Sequence, residues 1–157
     1  MIYSIMSTSE GSNCYIVKDE KTVLIDSGID PLRIMREIDS LDITLDFIIV
    51  THCHYDHIAG IPRIKDETGA KLLVHELDAS AMEEGDSDII LSNFFSNELI
   101  KVEVDSKLQD GQKISLGNIE LKVIHTPGHT RGSICLYEEK SKSLFSGDTV
   151  FSMGVGR

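Results

Sequence analysis

The densest chemistry in the chain is Thr51-His52-Cys53-His54-Tyr55-Asp56-His57, which places three imidazoles and a carboxylate within six residues. Imidazole nitrogen and carboxylate oxygen are donors that zinc and similar divalent ions accept, and a turn leaving a strand can aim such closely spaced side chains into one cavity. A polar, solvated loop would need no such concentration in a chain with only six His. Two further segments carry matching groups. His125-Thr126-Pro127-Gly128-His129-Thr130 contains a Pro-Gly turn able to return His129 toward the same cavity, and Leu144-Phe145-Ser146-Gly147-Asp148 ends an apolar stretch on a carboxylate. Alone, each of these two segments is an ordinary turn; ligation is read from all three together.

Holding these groups together requires strands that end near one another. Phe47-Ile48-Ile49-Val50 is a continuous apolar run that suits a strand buried on both faces and stops at Thr51. Upstream, residues 12–18 and 22–26 flank the turn Asp19-Glu20-Lys21 and read as a hairpin. Asp30-Pro31 has the form of an N-cap with Pro at the first helical position, and Ile34, Met35 and Ile38 follow at helical spacing, which predicts a helix over 31–39. Residues 62–68, stopped by Gly69, and 78–84, ended by Gly85, read as further helices on either side of a strand at 72–74. Residues 83–88 read as an exposed acidic loop. From Ile100 the pattern is strand-rich, with alternation over 119–123 followed by apolar runs at 134–137 and Leu144-Phe145. The order predicts an α+β fold, sheet packed on sheet with helices outside.

The 157 residues, 41% hydrophobic, can bury one core, so a single domain over 1–157 is expected. Fifteen Lys plus Arg against twenty-six Asp plus Glu leave a net charge of −11, which would repel a phosphate backbone and argues against a nucleic-acid partner. No apolar run approaches the ~20 residues of a membrane span, and no basic region followed by an apolar stretch opens the chain. A cytoplasmic protein with no membrane partner is the resulting expectation. Cys14, Cys53 and Cys135 are scattered without CxxC spacing, so neither a disulfide framework nor a thiolate zinc site is indicated.

Leu24-Ile25-Asp26-Ser27-Gly28 precedes the HxHxDH run, Gly132-Ser133 follows HTPGHT, and Ser146-Gly147-Asp148-Thr149 and Gly154-Val155-Gly156-Arg157 close the series. In this order the motifs resemble the metallo-β-lactamase superfamily, and within it the glyoxalase II-like (hydroxyacylglutathione hydrolase-like) hydrolases. The resemblance implies a four-layer αβ/βα sandwich. It implies that His52, His54 and His129 bind one metal, that Asp56 and His57 bind a second, and that Asp148 bridges both. His125 would be non-ligating, packing or hydrogen-bonding nearby, and Cys53 would be filler beside the metals. Asp26 would accept the remaining N–H of a ligand His and fix its tautomer. The implied cofactors are two divalent ions, zinc first, with iron or manganese as alternatives.

In the implied chemistry a metal-activated water attacks an acyl carbon while Asp56 orients it and takes its proton, a binuclear thioester hydrolysis on a small-molecule acyl substrate. Arg157 sits where such enzymes carry a cation for the thiol-carrier moiety, and a guanidinium suits a carboxylate. Three other readings stay open: a mononuclear iron persulfide dioxygenase, a lactonase, and a non-catalytic metal-binding module. The family draws a further His for its second metal from beyond the GxGR segment, and the remaining His75 matches no family ligand. The C-terminal part of the fold is therefore expected to be lacking and the second site incomplete. An uncovered sheet face would then favour a homo-oligomer.

Overall fold

Alternation of apolar side chains sorts the strands into two facing sheets in the computed structural model, which describes residues 1–7, 11–95 and 99–156. The first sheet contains β1 (Ile2–Ile5), β2 (Cys14–Lys18), β3 (Thr22–Ile25), β4 (Phe47–Ile49), β5 (Lys71–His75) and β6 (Ser106–Leu108), in that spatial order. Its first three strands pair antiparallel and its last four parallel. The second is an antiparallel meander of β7 (Lys113–Ser115), β8 (Glu120–His125), β9 (Ile134–Glu138) and β10 (Ser143–Phe145). A small hairpin of β11 (Val150–Phe151) and β12 (Gly154–Val155) follows.

Two apolar clusters fill the layers. Val17, Val23, Ile25 and Ile49 meet Leu121, Val123, Ile134 and Leu136 between the sheets, whereas Ile16, Leu24, Ile48 and Leu72 point the other way toward helices. This two-sided burial is why β4 reads as an unbroken apolar run. The helices are α1 (Pro31–Ser40), α2 (Tyr55–Ile58), α3 (Ile61–Thr68), α4 (Glu76–Glu84) and α5 (Ser87–Ile90). Ile34 and Ile38 of α1 and Ile61 and Ile64 of α3 are buried in the helix-side cluster.

The hairpin, the helix at 31–39 and the strands expected at 72–74 and 119–123 all form, with ends displaced by a few residues. Asp30 caps α1 by accepting the Arg33 N–H at 3.1 Å. One expectation is corrected. Residues 83–88 are a junction between two helices rather than an exposed acidic loop: Gly85 ends α4 in the left-handed conformation, and the Asp86 carboxylate caps α5 by accepting the N–H groups of Asp88 and Ile89. One of the charges that suggest solvation, Asp86, serves as a helix cap, and another, Glu83, pairs with Lys107 at 3.1 Å.

Three layers are formed by the described residues: helices, first sheet, second sheet. The outward face of the second sheet carries the cross-strand row Lys113, Lys122, Tyr137 and Leu144, which no fourth layer covers among the described residues. No described helix is long and apolar enough to cross a membrane.

Candidate metal centre

Every group singled out by spacing follows a strand on one rim of the sandwich. His52 and His54 leave β4 in an extended turn, and the helical turn of α2 then presents Asp56 and His57. His129 is carried by the turn between β8 and β9, and Asp148 by a 3-10 turn at Gly147–Thr149 after β10. Gly147 is obligatory there. Its φ is +49° and a Cβ would overlap Thr51, so only glycine lets this turn lie against the loop after β4.

The four imidazoles pack as one cluster, with ring centroids 4.8 Å apart for His52 and His54, 4.1 Å for His52 and His57, 4.7 Å for His52 and His129, and 4.4 Å for His54 and His129. Two donor groups result, His52 with His54 and His129, and His52 with His57 and Asp148, each with its ligand atoms within 4.8 Å of one another. One Asp148 oxygen, Oδ1, lies 3.1 Å from His57 Nε2 and the other, Oδ2, 3.5 Å from His129 Nε2, so a single carboxylate spans both groups. Asp56 Oδ2 is 3.6 Å from His57 Nε2. His52 occupies the middle of the cluster and falls within reach of both groups.

Asp26, at the end of β3, anchors the arrangement from behind. Its Oδ1 accepts the backbone N–H of Thr51 at 2.8 Å, and its Oδ2 accepts the Thr51 hydroxyl at 2.7 Å and lies 2.8 Å from His57 Nδ1. A carboxylate at that distance places a proton on Nδ1 and turns Nε2 into the cavity. Burial, reinforced by the neighbouring imidazoles of His57, His54 and His129, pushes the His52 pKa far down. Burial likewise lowers His54, to about 4, with His129 and His57 adding to the effect. Both rings are therefore neutral at pH 7 and offer lone pairs.

Burial also opposes charge on His57, but the carboxylates of Asp26, Asp148 and Asp56 outweigh it and raise its pKa to about 10. Without a metal this ring holds a proton that a cation must displace. For Asp148, burial is outweighed by His57, His129 and His54, which hold the carboxyl below its usual range. Burial raises Asp56, assisted by Asp148 and Asp26 and opposed by His57.

The donor set fits a divalent cation. His52 Nε2 is buried without a hydrogen-bond partner, an arrangement that costs about 1–3 kcal/mol unless the nitrogen meets a ligand. His125 stands outside both groups. It stacks on His75 with centroids 4.1 Å apart, and its Nε2 lies 2.9 Å from the Arg131 carbonyl. His75 itself caps α4, its Nδ1 accepting the Leu77 N–H at 3.4 Å. Cys53 is fully buried in the helix-side core. Arg157 lies outside the described residues. Thr51 and Asp78 were not singled out by spacing, although both hold ligand loops in place; Thr51 adjoins the His run, while Asp78 carries no motif signal.

A sandwich with strand-end His and Asp clusters of this kind defines a class of metal-dependent proteins. The chain belongs to the metallo-beta-lactamase superfamily, whose sequence pattern matches residues 8–157. Over all of its length it is 32% identical to a "Probable metallo-hydrolase" of Methanocaldococcus jannaschii, spanning 76% of that protein. It is 31% identical, again over all of its length, to the hydroxyacylglutathione hydrolase of Pelagibacter ubique, of which it spans 59%. Among solved structures, the BLEG-1 B3 metallo-beta-lactamase matches the whole chain with a TM-score of 0.89 at 26% identity, 76% of that molecule being covered.

Proposed function

We propose that this protein is a metal-dependent hydrolase that cleaves the thioester of a small acyl substrate. The observation carrying the reading is that Asp148 spans two His-containing donor groups that share His52. The similarity to a hydroxyacylglutathione hydrolase supports the thioester.

His52, His54 and His129 would hold one divalent ion, zinc first, and His57 with Asp56 a second, with Asp148 serving both. Bound ions supply Lewis acidity, making water nucleophilic at neutral pH and polarising a carbonyl. The residues contribute orientation and proton handling. Asp26 fixes the His57 ring so that Nε2 faces the cavity, and the half-buried Asp56 carboxylate, whose proton affinity is raised, would accept a proton from the attacking water at Oδ2. Cavities of about 570 and 690 Å³ flank the cluster, one beside Asp56, His57 and Asp148 and the other beside His54 and His129. Each has room for a small acyl compound.

The test is to load the purified protein with zinc and follow hydrolysis of a hydroxyacyl thioester of glutathione, a lactone and a β-lactam side by side. Thioester cleavage that stops on chelation and returns with zinc is expected. Cleavage of the lactone or β-lactam alone would overturn the thioester reading.

A further inference from the structure

Asp78 lies in the first turn of α4 and is only 2% exposed, yet it belongs to none of the strand-end motifs. Its Oδ2 accepts the backbone N–H of Cys53 at 3.1 Å and the Thr130 hydroxyl at 2.7 Å, and its Oδ1 accepts the Gly132 N–H at 2.7 Å. Cys53 stands between His52 and His54, and Thr130 directly follows His129. One carboxylate thus grips both loops that carry the first donor group.

Burying a carboxylate is unfavourable unless donors meet its oxygens, and these three donors all come from the two ligand loops. The approach is tight. A Cβ on Gly132 would overlap the Asp78 carboxyl carbon, so glycine is required for the turn to reach it. The same turn is closed on itself by Ser133, whose Oγ accepts the Thr130 N–H at 2.9 Å.

We propose that Asp78 is a positioning residue for the metal centre, setting the separation of His52 and His54 from His129 by holding the backbone beside each. The inference rests on those three histidines being ligands. It does not depend on which acyl compound is cleaved.

Co²⁺ alone is the probe, with affinity read by chelator competition and ligand geometry by the visible absorption of the bound ion. Asp78→Asn, which sets an amide N–H against one of the loop donors, is expected to weaken Co²⁺ binding about tenfold, the scale of losing a group that orients metal ligands, and to alter the absorption band. Thr130→Val, which removes only the hydroxyl contact, shifts both readouts in the same direction by less. Asp46→Asn is the control. Asp46 Oδ2 accepts the Thr22 N–H at 2.7 Å, at the end of β3 opposite Asp26, so this variant lowers the melting temperature while leaving affinity and band unchanged. A folded Asp78→Asn protein with wild-type affinity and absorption would overturn the proposal. If that variant does not fold, unchanged readouts in Thr130→Val overturn it instead. Failure of the wild-type protein to take up Co²⁺ would overturn the ligand reading and this inference together, whereas failure confined to the variants overturns only the role of Asp78.

Discussion

Imidazoles packed ring against ring from different loops present their nitrogens to one shared cavity, so the histidines are where the site's chemistry is most exposed to substitution. His54→Ala removes one of three donors from the first group and is expected to strip most of that metal and abolish hydrolysis; elemental analysis after gel filtration measures the first effect and thioester turnover the second. Asp26→Ala acts at one remove. It leaves the Thr51 N–H and hydroxyl and the His57 Nδ1–H without their shared acceptor, so metal affinity should fall about 10–100-fold, as chelator competition would report. Cys14 should resist alkylation in the native protein at pH 8, because burial pushes its thiol pKa up to about 12. Rapid labelling of Cys14 by iodoacetamide would contradict the buried placement.

The rim that carries the site is only as firm as the elements beneath it. Removing the α1 cap with Asp30→Ala should cost about 1 kcal/mol in denaturant unfolding, since its carboxylate accepts the Arg33 N–H, while leaving metal content unchanged. Asp105 joins α3 to β5, accepting from Lys65 Nζ and from the Leu72 N–H at 2.7 Å. Burial would raise its carboxyl, but these two donors outweigh it and hold the pKa below the usual carboxylate range. A depressed folded-state pKa stabilises the protein above the unfolded value, near pH 4, and the contribution is lost as pH falls through the folded value. The stability difference between wild type and Asp105→Asn should therefore be present at pH 7 and shrink below about pH 4, a trend that urea unfolding at successive pH values would check.

At the scale of the whole molecule, a cation held by loops from both sheets would tie the two layers together. Its binding should raise the melting temperature of the metal-free protein, by the equivalent of about 2.7 kcal/mol when free metal is a hundred times its dissociation constant. Calorimetry with and without chelator is the check. The net charge of −11 adds to this, because a divalent cation relieves part of the self-repulsion of an acidic chain. Superfamily membership accounts for the architecture, and the described residues supply its helices, first sheet and second sheet. The row of Lys113, Lys122, Tyr137 and Leu144 remains the outward surface of the second sheet among them.

Much of this was legible in the amino-acid order, because strand ends and ligands are local signals. An apolar run that stops at Thr51, a Pro-Gly turn before His129 and a Gly-Asp step after Phe145 each announce a strand that delivers a side chain, and the His spacing then names the chemistry. The Asp30-Pro31 cap and the glycine stops at 69 and 85 likewise mark helices through backbone rules that act over a few residues. What tertiary structure alone decided are the partnerships between distant segments. His52 is shared between the two donor groups because β4 and the turns after β8 and β10 converge on it. Asp26 reaches His57 across a parallel strand pair. Asp78 carries no motif in the amino-acid order; its burial against Cys53, Thr130 and Gly132 depends on how α4 packs against the two ligand loops, a long-range contact that no local pattern encodes.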